Sequence, residues 1–186
     1  AIDELKAVEQ SLREVVSNER PPSADVQFER IEAQGLMYSY FDPDGARSFT
    51  MGPTGLDLNR GEILFIVGGN GSGKSTLMKV FTRLYEPESG GILWDDTSVE
   101  SNNVTDYRTL FSSVFSDFHL FDRLYGLPEI EEKVVNDMLG DLDIAHKTQY
   151  RDGAFTNTNL STGQRKRLAL AVALLENRPI LLLDEL

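Results

Sequence analysis

An α/β fold with an N-terminal antiparallel β portion and a helical insert is what this sequence predicts, and three observations carry the prediction. Glu62-Ile63-Leu64-Phe65-Ile66-Val67 is a short apolar, β-branched run of the kind buried on both faces of a parallel sheet. A glycine-rich loop follows at once, and a helical pattern continues from it over residues 74–84. Ile180-Leu181-Leu182-Leu183, near the end, reads as a second buried strand. Strands alternating with helices in this order make an α/β arrangement.

Ile2, Leu5, Val8, Leu12, Val15 and Val16 recur at helical spacing among charges, which predicts an amphipathic helix over residues 2–16. The pattern stops at a polar stretch holding Pro21-Pro22, the best candidate for a linker. Residues 1–26 are therefore expected to stand apart from a domain over residues 27–186. Residues 27–40 and 49–58 read as strands around the turn Asp42-Pro43-Asp44-Gly45. The helical pattern after the glycine loop ends at Glu86-Pro87-Glu88-Ser89-Gly90-Gly91. Residues 91–95 then read as a strand, residues 107–110 as a helical turn and residues 111–115 as an apolar strand. Residues 121–146 turn helical and acidic, with Ile130, Val134, Val135 and Met138 on one face, inside an insert over about residues 121–175. Residues 162–176 form a strong Ala/Leu helix, and Pro179 punctuates it.

With 186 residues and a 40% hydrophobic share, the chain is long enough for one sizeable core. It contains no cysteine, which excludes disulfide scaffolds and thiolate metal sites. A net charge of −12 argues against a nucleic-acid binder working through a general basic surface. The longest uninterrupted apolar stretch, residues 168–175, is far short of the roughly 20 that a spanning helix needs. The start, Ala1-Ile2-Asp3-Glu4-Leu5, lacks the basic and apolar regions of a secretory signal and an initiator Met, as expected of a processed chain or an excised piece.

Gly68-Gly69-Asn70-Gly71-Ser72-Gly73-Lys74-Ser75-Thr76 fits the phosphate-loop pattern G-x-x-x-x-G-K-S/T between a predicted strand and a predicted helix. Glycines let the backbone curl so that successive N–H groups converge on phosphate oxygens, with the positive end of the next helix behind them. Lys74 is then expected to reach the β- and γ-phosphates of a nucleotide, and the Ser75 hydroxyl to ligate Mg²⁺. Downstream, the apolar run 180–183 delivers Asp184 and Glu185 at a strand's C-terminal end. In phosphate-loop enzymes the first such carboxylate holds Mg²⁺ and its neighbour can polarise the attacking water, which makes Lys74 and Glu185 the catalytic candidates.

Leu160-Ser161-Thr162-Gly163-Gln164, followed by Arg165-Lys166-Arg167 and a long helix, reads by itself as an ordinary polar helix cap. Between the other two motifs it resembles the L-S-G-G-Q signature of ATP-binding-cassette (ABC) ATPases. The resemblance covers nearly everything from residue 27 onward, and it implies a phosphate-loop ATPase core that this chain does not complete at its C-terminus. It implies ATP and Mg²⁺ as cofactors, with Tyr40 stacking on adenine and Tyr38 as the fallback. It implies a head-to-tail dimer of two such domains, in which Ser161, Gly163 and Gln164 close on the partner's ATP.

Where the family has a Gln in a pattern like V-x-Q-D-x-x-L-F, this chain reads Val114-Phe115-Ser116-Asp117-Phe118-His119-Leu120-Phe121. Ser116, the third metal candidate, is too short to repeat the Gln contact directly and could act through water. With Gly69-Asn70 and Thr162, this segment resembles the bacterial cyclic-peptide and siderophore exporter branch. That implies a transmembrane domain as partner, a place on the cytoplasmic face of the inner membrane, and residues 2–16 as the tail of the last membrane-domain helix. His119 and His146 match no family role. Two alternatives stay open: a soluble ABC ATPase of DNA repair or translation, and a regulatory module that binds nucleotide without hydrolysis. Too few positions separate Lys74 from Ser161 for the long heptad run of the coiled-coil repair type, and Glu185 weighs against the regulatory module.

Overall fold

The computed structural model describes residues 26–184, in two compact units. One unit holds the chain up to Phe65 together with Val80–Thr109; the other holds Ile66–Lys79 together with the chain from Leu110. The helix predicted over residues 2–16, the Pro21-Pro22 linker and Glu185 lie outside the described residues.

In the first unit, β1 (Arg30–Phe41) pairs antiparallel with β2 (Arg47–Asn59) on one edge and with β3 (Ser89–Trp94) on the other. The short β4 (Thr97–Ser98) completes the sheet order β2-β1-β3-β4. The turn predicted at residues 42–45 is closed by Gly45 N–H donating to Asp42 O at 2.8 Å and Asp42 N–H donating to Ala46 O at 2.8 Å. β1 bulges at Gln34-Gly35, where the register shifts against both neighbours. Gly90 faces that bulge with φ of +85°, and a Cβ there would lie 2.4 Å from Gln34 O, so glycine is required for the close approach. Asp95 and Asp96 form the two-residue turn between β3 and β4, both at positive φ as a type I′ hairpin requires. The Asp95 carboxylate repays that conformation by accepting from the Glu29 and Arg30 amides at 2.8 Å each. Ile31, Leu36 and Ile92 are buried, each contributing about 1.5–3 kcal/mol. Tyr107, on α2 (Val104–Arg108), is buried as well and donates its hydroxyl to Phe81 O at 2.7 Å. Burial holds its phenol well above the ordinary range.

Helix α1 (Lys74–Phe81) contributes its first six residues to the second unit. There β5 (Phe111–Val114) and β8 (Ile180–Leu183) pair in parallel, from Phe111 opposite Ile180 to Val114 opposite Leu183. Helix α4 (Thr162–Leu175) packs on β5, with Val114, Ala169 and Ala173 as a small core under Phe118 and Leu120. Ser112 Oγ donates to Glu176 Oε2 at 2.7 Å and ties the end of that helix to the strand. Helix α3 (Glu132–Asp141) packs on α4 around Val135, Leu139, Ile144, Leu168 and Ala171. The same core takes Tyr150 and Phe155 from the hairpin β6 (Tyr150–Arg151) and β7 (Ala154–Phe155), which turns at Asp152-Gly153 with both φ values positive. The Asn136 side chain holds that hairpin, accepting from Tyr150 N–H at 2.8 Å and donating to Tyr150 O at 2.9 Å.

Three expectations need correction. Residues 62–67 form no ladder, and Ile63, Phe65 and Val67 are 80%, 81% and 87% exposed. A β-branched apolar run expresses a preference for extension and burial, whereas a strand also needs a partner in register, and none of the described strands supplies one. β8 is a strand, but among the described residues it pairs only with β5, and Leu181 and Leu183 on alternate positions are exposed rather than buried on both faces. Of residues 121–146, only Glu132–Asp141 are helical. Gly126 at φ of +75° and Pro128 break the pattern ahead of that helix, and its buried face carries Val135 and Leu139 while Val134 is exposed.

Candidate functional site

The glycine loop enters α1 through two left-handed residues, Gly71 at φ of +75° and Gly73 at +91°, a conformation that the pattern's glycines make accessible. Gly68 packs against Ser72, whose Oγ would sit 2.6 Å from a Cβ at that position, and Ser72 N–H donates to Gly69 O at 3.2 Å. The Lys74 ammonium folds back over the loop, donating to Gly68 O at 3.0 Å and Gly69 O at 3.1 Å. Asn70 is exposed at the tip, while Thr76 is buried in the first turn of α1. Leu77 N–H donates to Gly73 O at 2.8 Å and closes the first turn of α1. That turn carries no acidic residue of its own, and the positive end of a helix dipole favours an anion there.

Ser75, on the same turn, donates its hydroxyl to Asp184 Oδ1 at 3.0 Å. Asp184 is 2% exposed and held by its own amide, which donates to Val114 O at 2.9 Å and extends the β5 to β8 pairing by one bond. The Ser116 amide approaches Asp184 Oδ2 at 3.4 Å. Ser75 through its hydroxyl and Ser116 through its backbone amide thus both meet Asp184. A hydroxyl and a buried carboxylate are hard oxygen donors that suit Mg²⁺, which binds few protein carboxylates and completes its shell with phosphates and water. Among the described residues there is no cluster of three or more His, Cys, Asp or Glu side chains that could hold a metal ion.

Two residues that motif reading left without a role stand beside this cluster. Lys79 Nζ lies 3.0 Å from Asp117 Oδ2 and 5.5 Å from the centre of the Phe115 ring. The Lys79 hydrogen bond and charge hold the Asp117 carboxyl below the usual aspartate range. Their signal was present, since Lys79 falls one helical turn after Ser75 and Asp117 follows Ser116 directly.

Ser161 caps α4 in an extended conformation, and Gln164 Oε1 accepts from Ser161 N–H at 3.1 Å in a capping box. The cap reading of this motif is therefore correct for the chain by itself. Gly163 sits in the first turn with open space around its Cα, and that turn also has no acidic residue. In the other unit, Tyr38 stacks on Tyr85 with ring centres 5.0 Å apart, and Tyr40 meets both rings edge-on at 5.2 and 6.2 Å. Tyr38 thus has one face covered, whereas Tyr40 is exposed.

The phosphate-loop residues, the strand-end carboxylate and the capped α4 match a known pattern: residues 52–186 fit the family model described as "ABC transporter". The chain belongs to the ABC transporter family. Among curated ABC relatives it is 47% identical over 159 residues to the ATP-binding protein SyrD of Pseudomonas syringae pv. syringae, covering 83% of this chain and 28% of that protein. It is 31% identical over 171 residues to the ATP-dependent lipid A-core flippase of Aliivibrio fischeri, with the same coverages. The chain therefore spans about 28% of the length of these curated relatives. Among solved structures, a bacterial Atm1-family ABC exporter with ATP bound superposes with a TM-score of 0.72 over 99% of this chain and 35% of that one, at 24% identity, a likeness of fold. CbiO1 of Clostridium perfringens, part of the ABC transporter complex cbiONQ, gives a TM-score of 0.60 at 30% identity over 86% of this chain and 66% of that one. The ABC phosphate-loop ATPase fold predicted from the motifs is the fold of this chain.

Proposed function

We propose that this chain is the ATP-binding and hydrolysing domain that powers export by an ABC transporter, with a cyclic peptide or siderophore as the substrate class. The observation that carries the reading is the bond between Ser75 and Asp184, which joins the phosphate loop to the strand-end carboxylate across 109 residues. The loop amides and Lys74 bind the β- and γ-phosphates, and Tyr40 stacks on adenine. Ser75 and Asp184 hold Mg²⁺, with Ser116 acting through water. When bound, the ion neutralises charge on the transferring phosphoryl group. Glu185 orients and deprotonates the attacking water. Ser161, Gly163 and Gln164 act on ATP bound by a second copy in a head-to-tail dimer, so each site is completed in trans.

Transport rather than soluble remodelling is supported by the relatives, which are named for a flippase and an exporter. The partner of this domain is the transmembrane domain of the same transporter, and the domain works on the cytoplasmic face of the inner membrane; among the described residues no helix is long and apolar enough to cross a membrane. Nucleic acid has no part in this reading. The test is made on the intact protein. Lys74→Ala should abolish ATP binding, while Glu185→Gln should keep binding and lose about 10²–10⁴-fold in turnover. A Lys74→Ala protein that binds ATP like the wild type would overturn the reading.

A further inference from the structure

Ser75 and Lys79 stand one turn apart on α1 and so project from the same face of the helix. Each holds an acidic side chain just beyond the end of a strand: Ser75 holds Asp184, after β8, and Lys79 holds Asp117, after β5. Because β5 and β8 run in parallel and end opposite each other at Val114 and Leu183, the segments that leave them start side by side. One face of α1 therefore fixes where both segments begin.

The segment after β5 is anchored at its far end without Lys79. Phe118 packs on Val114, Ala169 and Ala173, and Arg165 lies 5.8 Å from the centre of its ring. Between Val114 and Phe118, the segment's polar contacts with side chains include the Lys79–Asp117 pair, with Lys79 also lying over Phe115, and the Ser116 amide on Asp184. Lys79 is largely buried at 15% exposed, while Asp117 is 70% exposed. An ion pair with one partner so open contributes little to stability, so its consequence is positional. It sets the path of the residue between Phe115 and Asp117, which is Ser116, the residue whose amide faces Asp184.

We propose that Lys79 and Asp117 are a positioning pair that keeps Ser116 against Asp184 and thereby tunes how tightly the site holds its divalent cation during ATP turnover. This rests on the ATP-binding reading above. In the intact protein, Asp117→Asn and Lys79→Met should each leave ATP affinity in EDTA within about twofold of wild type, yet weaken Mn²⁺ binding to the ATP-loaded protein and lower kcat by about tenfold at near-constant KM. Mn²⁺ binding is read by electron paramagnetic resonance. The reversed pair, Lys79→Asp with Asp117→Lys, should recover most of both losses, which a merely structural defect would not do. In the nucleotide-free protein, Asp117→Asn should also speed amide exchange at residues 115–118 and leave β5 unchanged.

Wild-type Mn²⁺ affinity in Asp117→Asn, or a reversed pair no better than the single variants, overturns the proposal. If Lys79→Met fails to fold, Asp117→Asn decides alone, since its side chain is exposed. Faster exchange at residues 115–118 in a protein that binds no ATP upholds the positioning while the ATP reading falls. Unchanged exchange in a protein that binds ATP normally removes the positioning and leaves that reading standing.

Discussion

The hydroxyl of Ser75 donates to the carboxylate of Asp184 at 3.0 Å, so the first turn of α1 and the end of β8 share one hydrogen bond to a buried charge. Losing it leaves that carboxylate short of a donor in a site where water cannot easily replace one. Ser75→Ala should therefore destabilise the protein by about 1.5–3 kcal/mol. Urea unfolding without nucleotide measures this, and an unchanged midpoint would show that the bond does not matter to the fold.

Ser161 has two assignments, helix cap and phosphate donor in trans, and one substitution separates them. Aspartate caps a helix as well as serine does, but it carries a negative charge where the partner's ATP would arrive. Ser161→Asp should keep the stability of the fold, whereas Ser161→Ala should cost about 1 kcal/mol. ATP-dependent dimerisation, followed by light scattering in the intact protein, should be lost in Ser161→Asp. Retention of the dimer would confine this residue to its role as a cap.

Tyr40 is exposed and meets Tyr38 and Tyr85 edge-on and Phe49 at a tilt, while Tyr38 already has Tyr85 stacked on it. Tyr40→Ala should weaken ATP by about 1–3 kcal/mol and leave inorganic triphosphate unaffected, because only a base can use the ring face. Calorimetry with both ligands gives the comparison. Equal losses for the two would move adenine recognition elsewhere.

Arg30 and Asp57 pair across β1 and β2, with Nη2 to Oδ2 at 2.6 Å. The hydrogen bond from Arg30, helped by its charge, holds the Asp57 carboxyl below its ordinary value against the opposing effect of desolvation. A depressed carboxyl stabilises the folded state above the unfolded value, and that contribution disappears as pH falls through the folded value. Carbon-13 NMR titration should place the Asp57 midpoint below that of a free aspartate, and Arg30→Gln should raise it toward the ordinary value. An unmoved midpoint in Arg30→Gln would remove Arg30 as the cause.

Much of the second unit was legible because its signals are local. A glycine loop that needs positive φ, a Ser with a Gln three residues on, and an Ala/Leu run with a proline beyond it each act within a few residues. The hairpin at Asp152-Gly153 was missed, although the dipeptide is a strong type I′ turn signal. Its strands are two residues each, too short for alternation to register. Residues 62–67 erred the other way, because an apolar β-branched run says nothing about whether another strand lies in register beside it.

What the sequence alone determined is the glycine loop, the acid at the end of β8, the cap of α4 and the family they define, since motif spacing encodes each directly. Only the tertiary structure decided which of these residues meet. Ser75 finds Asp184, Lys79 finds Asp117 and Tyr38 finds Tyr85 through the pairing of β5 with β8 and the burial of helix faces. Contacts so distant in sequence depend on how separate elements pack together, and no local pattern of residues carries that information.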